Sequence, residues 1–274
     1  MSGGAAYLLI ISLVDIIEAK MIAIILAAGS GTRISKYTKN IPKSLIKVNG
    51  KSIIEYQILA LREAGIQKII VVTGHYSEKF TLNEVTFVKD ENYMNHDILG
   101  SLMEARKYIQ NELLILYSDI IFDSKIIQEI LYSKDDIVIG VDLNWEKHYE
   151  GRTEHPKSEA ENVLLNSSNK IIEIRKNIQK NNGVIGEFIG IIKLTSNGSK
   201  LFVKKFDEIS KRHTSKFHEA PSLLKAYLTH MIQELIDSDI QLTPIFISGK
   251  WCEIDTIQDL RNAELKLKTS HVFS

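Results

Sequence analysis

The segment LAAGSGTRISKYTKNIPKSL, residues 26–45, joins an apolar run to two glycines and then to a string of cations. Arg33, Lys36, Lys39, Lys43, Lys47 and Lys51 fall between residues 33 and 54 with no acid among them. Glycine lets a backbone approach its ligand closely, and small residues after a strand turn their N–H groups toward an anion. The dinucleotide pattern GxGxxG is excluded, because Ile34 stands at the third glycine and no acid lies about 20 residues further on. A Walker A loop is excluded too, because Pro42-Lys43-Ser44 lacks the glycine frame before its lysine. What is left is a strand-to-loop anion site. Arg33 follows the glycines and Lys43 follows Pro42, whose ring fixes the turn, so these two are the expected phosphate ligands. Lys36, Lys39, Lys47 and Lys51 read as a solvated basic face.

Two acids stand where strands are expected to end: Asp119 in LYSD and Asp255 in KWCEIDT. Open α/β sheets bind ligands beyond the carboxyl ends of their strands, so both acids are candidates for one mouth. Capping of the following helix is the competing reading for each. Glu253, Asp123 and Asp259 read as supporting or solvated acids. His75 and His96 stand alone and read as structural or solvent-facing, and Cys252 as a small residue at the edge of the core.

The elements that have to position these residues follow from hydrophobic period. Apolar runs at 22–28, 68–74, 84–90, 112–119, 136–142, 186–194 and 241–247 read as strands. Helical patterns at 52–64, 99–109, 124–132, 221–237 and 256–266 alternate with them, and ENVLLNSSNKIIEIRK (161–176) reads as an antiparallel hairpin. That alternation predicts an α/β fold, a mixed and mostly parallel sheet covered on both faces. The polar loop NWEKHYEGRTEHPKSE (144–159) is longer than a plain connection and is a candidate binding loop. With no repeat or linker, the expected division is one domain from 21 to 267, an N-terminal extension over 1–20 and a tail over 268–274. The apolar stretch from Ala5 to Val14 is too short to span a bilayer and lacks a basic flank, so a signal peptide is not expected.

The chain has 274 residues, with 34 Lys plus Arg against 34 Asp plus Glu, so no global field draws it to nucleic acid or to an anionic membrane. Its one cysteine excludes an internal disulfide framework and fits a cytoplasmic setting.

LAAGSGTR followed by IPKSLIKVNGKSIIEYQI resembles the signature of the sugar-phosphate-type nucleotidyltransferases, in which L-A-A-G-x-G-x-R precedes P-K-x-L. The resemblance implies a Rossmann-like three-layer fold with a small antiparallel insertion on the acceptor side. It implies that Leu26, Ala27, Ala28, Gly29, Ser30, Gly31 and Thr32, with Ser101, bind the nucleotide. Arg33 and Lys43 would hold the triphosphate, and Asp119 and Asp255 a Mg2+ ion. Lys176 would meet the acceptor's phosphate, although an exposed hairpin lysine is the competing reading. The closing segment WCEIDTIQDLRNAE resembles the cytidylyltransferase branch, which implies CTP as donor. For the acceptor, Trp145 and Tyr149 offer an aromatic set suited to phosphocholine, whereas Arg152 and His155 offer a basic set suited to a small phosphonate. The basic loop resembles that of phosphonate cytidylyltransferases, so 2-hydroxyethyl- or 2-aminoethylphosphonate is expected, with phosphocholine or a sugar 1-phosphate as the alternative. A homodimer is a possible assembly. A catalytically silent nucleotide-binding regulator is the rival class, disfavoured because Arg33, Lys43, Asp119 and Asp255 are all present.

Overall fold

A computed structural model describes residues 21–29, 34, 40–179, 183–212, 215–247 and 250–269. The extension over 1–20, the segment Ser30, Gly31, Thr32 and Arg33, and most of the tail lie outside the described residues.

Strand β1 (Ile22–Ala27) is buried along its whole length, and its side chains alternate between two cores. Ile22, Ile24 and Leu26 face one layer, and Ala23, Ile25 and Ala27 face the other. Each fully buried isoleucine contributes about 1.5–3 kcal/mol, so these six positions fix the centre of the sheet. β4 (Lys68–Thr73) and β6 (Leu113–Tyr117) flank β1 in parallel, and β5 (Thr86–Lys89) extends β4. β2 (Lys47–Val48) and β3 (Lys51–Ser52) form a small ladder of their own.

Beyond β6 the sheet turns antiparallel around one long strand, β11 (Val184–Leu194). The first half of β11 pairs with β9 (Glu161–Leu165) and its second half with β6, while its other edge carries β8 (Ile137–Asp142). β12 (Thr243–Phe246) runs parallel to β8, and β10 (Ile171–Lys176) closes the hairpin with β9. This is the mixed sheet with an antiparallel insertion that the sequence predicts. The register of β11 shifts between Phe188 and Ile192, where Gly190 has φ +78°. A Cβ on Gly190 would fall within 2.9 Å of the Tyr117 ring, so only glycine lets that ring lie across the strand.

Helices cover both faces. α2 (Ile98–Glu104), α4 (Ser196–Arg212) and α5 (Leu228–Asp237) pack on the Ile24 side. α1 (Ile53–Glu63) and α3 (Ser124–Tyr132) cover the Ile25 side, and α6 (Ile257–Thr269) closes a smaller cluster with Val48 and Ile254. A capping box between Ser52 and Glu55 starts α1, and the Asp123 side chain caps α3.

Two helices after β11 differ from the sequence reading. The helix expected over 221–237 begins only at Leu228, because the preceding backbone is engaged elsewhere: Leu224 and Ala226 carbonyls accept from the Asp97 and Leu99 N–H groups at 2.9 and 3.0 Å. Helix α4 was not expected. Its Ser-Asn-Gly-Ser start favours a turn, but Phe202, Phe206 and Ile209 bury at helical spacing and Thr195 accepts from the Gly198 N–H. Among the described residues no helix is long and apolar enough to cross a membrane.

Candidate active site

Asp119 lies two residues beyond β6, in the turn at its carboxyl end. What brings Asp255 to it is a short antiparallel ladder, β7 (Ile120–Phe122) against β13 (Trp251–Glu253), whose register pairs Glu253 with Ile120. The ladder continues in a bond from the Ile254 N–H to the Asp119 carbonyl, 2.9 Å. The turn is braced from below by Gln57, fully buried on α1, which donates to the Tyr117 and Ile120 carbonyls at 2.7 and 2.8 Å. Asp259 braces the other side: its Oδ2 accepts from the Thr256 and Asp255 N–H groups, which serves as the cap of α6. It is thus the Asp259 carboxylate that receives the N–H groups at the start of α6.

Lys43 joins the two carboxylates. Its Nζ donates to Asp119 Oδ2 at 2.9 Å and to Asp255 Oδ1. Burial works against the ammonium, but Asp119, Asp255 and Glu253 outweigh it and raise the lysine pKa. Burial, then Asp255 and Asp119, push the Glu253 carboxyl above the usual range. His155, almost wholly buried, places Nδ1 3.2 Å from Asp255 Oδ2 and Nε2 3.8 Å from Glu253. His155, Glu253 and Asp255 together present ligand atoms within 4.8 Å of one another. Asp119 Oδ1 is buried and has no hydrogen-bond partner among the described residues. An orphaned carboxylate oxygen next to two further acids suits a hard cation, so the residues present fit a Mg2+ ion held by Asp119, Asp255 and Glu253.

These groups line one side of a cavity of about 280 Å3. Leu26, Ala27 and Gly29 also line it. The far wall is acidic and aromatic: Glu159, Glu161 and Glu187 with Tyr117, Tyr149 and Tyr227. Glu161 lies beside the Tyr117 hydroxyl, and burial pushes its pKa up to about 7. Glu187 is held by the Tyr149 hydroxyl, while its Oε2 is buried with no partner among the described residues. Burial, then Glu253, raise the Glu187 pKa well above the ordinary value. Lys176 reaches the cavity with its Nζ 2.9 Å from Glu159 and over the Tyr227 ring at 5.5 Å.

The structure thus brings Lys43, Asp119, Asp255, His155, Tyr149 and Lys176 to one cavity. It does not bring Arg152 or Trp145 there. Arg152 is buried behind the site, its guanidinium bonded to Asp259 at 2.8 Å and Glu253 at 3.2 Å and stacked over Tyr149 at 4.7 Å. With those partners its charge is already neutralised, and it holds the Glu253–Asp259 loop instead of facing an acceptor. Trp145 donates to the Ile185 carbonyl and packs edge-on against Tyr149. Ser101 does not face the main cavity either; its hydroxyl donates to Asp90 at 2.8 Å beside a neighbouring pocket. Arg33, Ser30, Gly31 and Thr32 lie outside the described residues. Sequence reading singled out neither Glu161 nor Glu187, which lie in strands β9 and β11, nor Gln57, which a helix pattern hides.

Comparison with known proteins agrees with the fold. Residues 23–155 match the MobA-like NTP transferase domain. A CTP:phosphoglutamine cytidylyltransferase from Campylobacter jejuni is 28% identical over 251 residues, spanning 88% of this chain and 98% of the relative. A 2-aminoethylphosphonate cytidylyltransferase from Lancefieldella rimae is 42% identical over 88 residues, 30% of this chain and 36% of the relative. The fold is shared with the solved CTP:phosphocholine cytidylyltransferase from Streptococcus pneumoniae, with a TM-score of 0.68 and 22% identity over 90% of this chain and 99% of that one. Residues 23–155 therefore form a MobA-like NTP transferase domain, and the chain is a nucleotidyltransferase with cytidylyltransferase relatives.

Proposed function

We propose that the chain transfers CMP from CTP to a small acceptor bearing a phosphate or phosphonate group, with release of pyrophosphate. The observation that carries this reading is Lys43 set between Asp119 and Asp255 at the strand ends. In the reaction an oxygen of the acceptor's phosphoryl group forms a bond to the α-phosphorus, and the bond from that phosphorus to the bridging oxygen of the leaving pyrophosphate breaks. No covalent intermediate with the protein is required, so the protein's contribution is positioning and charge neutralisation. A Mg2+ ion held by Asp119, Asp255 and Glu253 would supply charge neutralisation at the phosphates. Lys43 adds an ammonium within the same group of charges, and Lys176 approaches from the acceptor side. Arg33 is assigned to the triphosphate on the sequence signature alone.

The acceptor reading narrows with the wall around it. Arg152 was one reason to expect a small phosphonate, and it is engaged elsewhere. Glu159, Glu161 and Glu187 among tyrosine rings favour an acceptor that also carries a positively charged nitrogen. 2-Aminoethylphosphonate, phosphocholine and a phosphorylated glutamine all meet that description, and among them 2-aminoethylphosphonate keeps closest to the signature of the 144–159 loop. Pyrophosphate release measured with each of four nucleoside triphosphates, against those three acceptors, 2-hydroxyethylphosphonate and a sugar 1-phosphate, tests both halves. Release that needs CTP and an aminated acceptor is expected; equal rates with the sugar phosphate would contradict the acceptor reading.

A further inference from the structure

A second cavity of about 310 Å3 adjoins the main one and shares Leu26, Gly29 and Ile98 with it. Phosphates belong with Lys43 and the strand-end acids, and the acceptor with the wall of β9 and β11. The nucleotide's base is thereby directed past Leu26 and Gly29 into this second space. Its surfaces suit a flat heterocycle: Leu26, Ala28 and Ile98 are apolar, and the Tyr93 ring stands beside them. Its most elaborately held polar group is His96, whose side chain is 8% exposed.

His96 does not stand alone, as its sequence context suggests. Its Nδ1 lies 3.0 and 3.1 Å from the two oxygens of Asp90, which is wholly buried. The same carboxylate accepts the Asn92 N–H at 2.9 Å and the Ser101 hydroxyl at 2.8 Å. Glu104 is more distant, 3.8 Å from the same ring nitrogen. A carboxylate that already receives two donors accepts a third, so Nδ1 carries the hydrogen and a neutral ring keeps Nε2 as an acceptor. Nε2 has no hydrogen-bond partner among the described residues. The ring is seated on bare backbone: a Cβ at Gly100 would lie 2.8 Å from His96 Cβ and Cγ and 2.4 Å from the Leu224 carbonyl. Bonds from Asp97 and Leu99 to the 224–226 segment hold the loop in place.

We propose that His96, oriented by Asp90 and Ser101, reads the nucleobase by accepting a hydrogen bond from the exocyclic amino group of cytosine. Uracil presents a carbonyl oxygen at that position, so two acceptors would face each other and the site would reject it. The inference rests on the CTP reading above and gives its physical reason. His96 is the contacting residue; Asp90 and Ser101 act through it as positioning residues.

The test compares kcat/KM for CTP and UTP, with one acceptor, in the wild type and in His96→Ala, His96→Gln and Asp90→Asn. Calorimetry of each nucleotide with Mg2+ gives affinity without turnover. The wild type is expected to prefer CTP. His96→Ala should lower the CTP:UTP ratio at least about tenfold, mostly through loss of the CTP value, with the acceptor's KM unchanged. His96→Gln, whose amide can accept from cytosine or donate to uracil, should regain CTP turnover with little of the ratio, which separates base reading from a packing defect. Asp90→Asn should lower the ratio with His96 still present, since an amide permits the opposite tautomer. A CTP-selective wild type whose ratio is unmoved in His96→Ala and Asp90→Asn overturns this inference alone. A wild type that favours UTP, or binds neither nucleotide, overturns the CTP reading and this inference together.

Discussion

Lys43→Met replaces the ammonium between Asp119 and Asp255 with an uncharged chain of similar length. The lysine side chain is 12% exposed, against 25% for Asp119 and 9% for Asp255. Removing one member of a buried ionic group leaves the others uncompensated at a cost of about 3–5 kcal/mol. Asp119 keeps some water, so the lower end applies, about 3 kcal/mol. For a chain of this size that is a fall in melting temperature of about 6–12 °C in chelator. Divalent cation should then stabilise the variant: if it binds the freed carboxylates, a concentration about a hundredfold above its dissociation constant restores about 2.7 kcal/mol. The wild type, in which the lysine already supplies part of the counter-charge, should gain less from the cation. Thermal unfolding followed by circular dichroism, in EDTA and in Mg2+, gives the four melting temperatures needed. A variant as stable as the wild type in EDTA, or one indifferent to Mg2+, would refute the assignment of Lys43 as counter-cation to this pair.

Three further outcomes are expected. Gln57→Leu strips two carbonyls of their donors below Asp119, so stability should fall by about 1–3 kcal/mol and kcat more than the KM for CTP, as unfolding and steady-state kinetics would show; an unchanged kcat would remove Gln57 from the positioning of Asp119. Arg152→Met should lower the melting temperature by several degrees and raise the acceptor's KM little, because its partners are Glu253 and Asp259; a selective rise in that KM at unchanged stability would return it to the acceptor site. Burial raises the Glu161 pKa from its ordinary value toward about 7, so the folded state disfavours the ionised form and loses stability as pH rises from about 4.5 to 7. Glu161→Gln should therefore be more stable than the wild type at pH 8, by at least about 2 °C, and no more stable at pH 4, where both states hold the proton; equal melting temperatures at pH 8 would contradict an acid whose ionised form burial disfavours.

Much of this arrangement was legible in the sequence where local pattern and tertiary role agree. The apolar run of β1, the amphipathic period of α3 and the hairpin at Asn166–Lys170 each state their structure in a few residues. Asp119 and Asp255 were visible as strand-end acids, and Lys43 by its place after Pro42. What was hidden depends on partners far along the chain. The β7–β13 ladder joins segments of three residues separated by about 130 positions, too short for any period to reveal. Arg152 looked like a free cation because Glu253 and Asp259, a hundred residues away, are what consume its charge. The start of α5 was misplaced because Leu224 and Ala226 give their carbonyls to the Asp97 and Leu99 N–H groups, a tertiary use that helix propensity does not register. His96 looked ordinary because Asp90 reads as the end of a strand until the fold closes over it.

Acceptor-dependent pyrophosphate release from CTP in Mg2+, by the wild type and by Asp255→Asn with its folding verified, tests the central claim most directly. The account predicts release by the wild type with an aminated phosphonate or phosphate ester, and a rate at least about a hundredfold lower in the variant, a loss near 3 kcal/mol of transition-state stabilisation. Release that needs no acceptor, or that survives in Asp255→Asn at the wild-type rate, would contradict it.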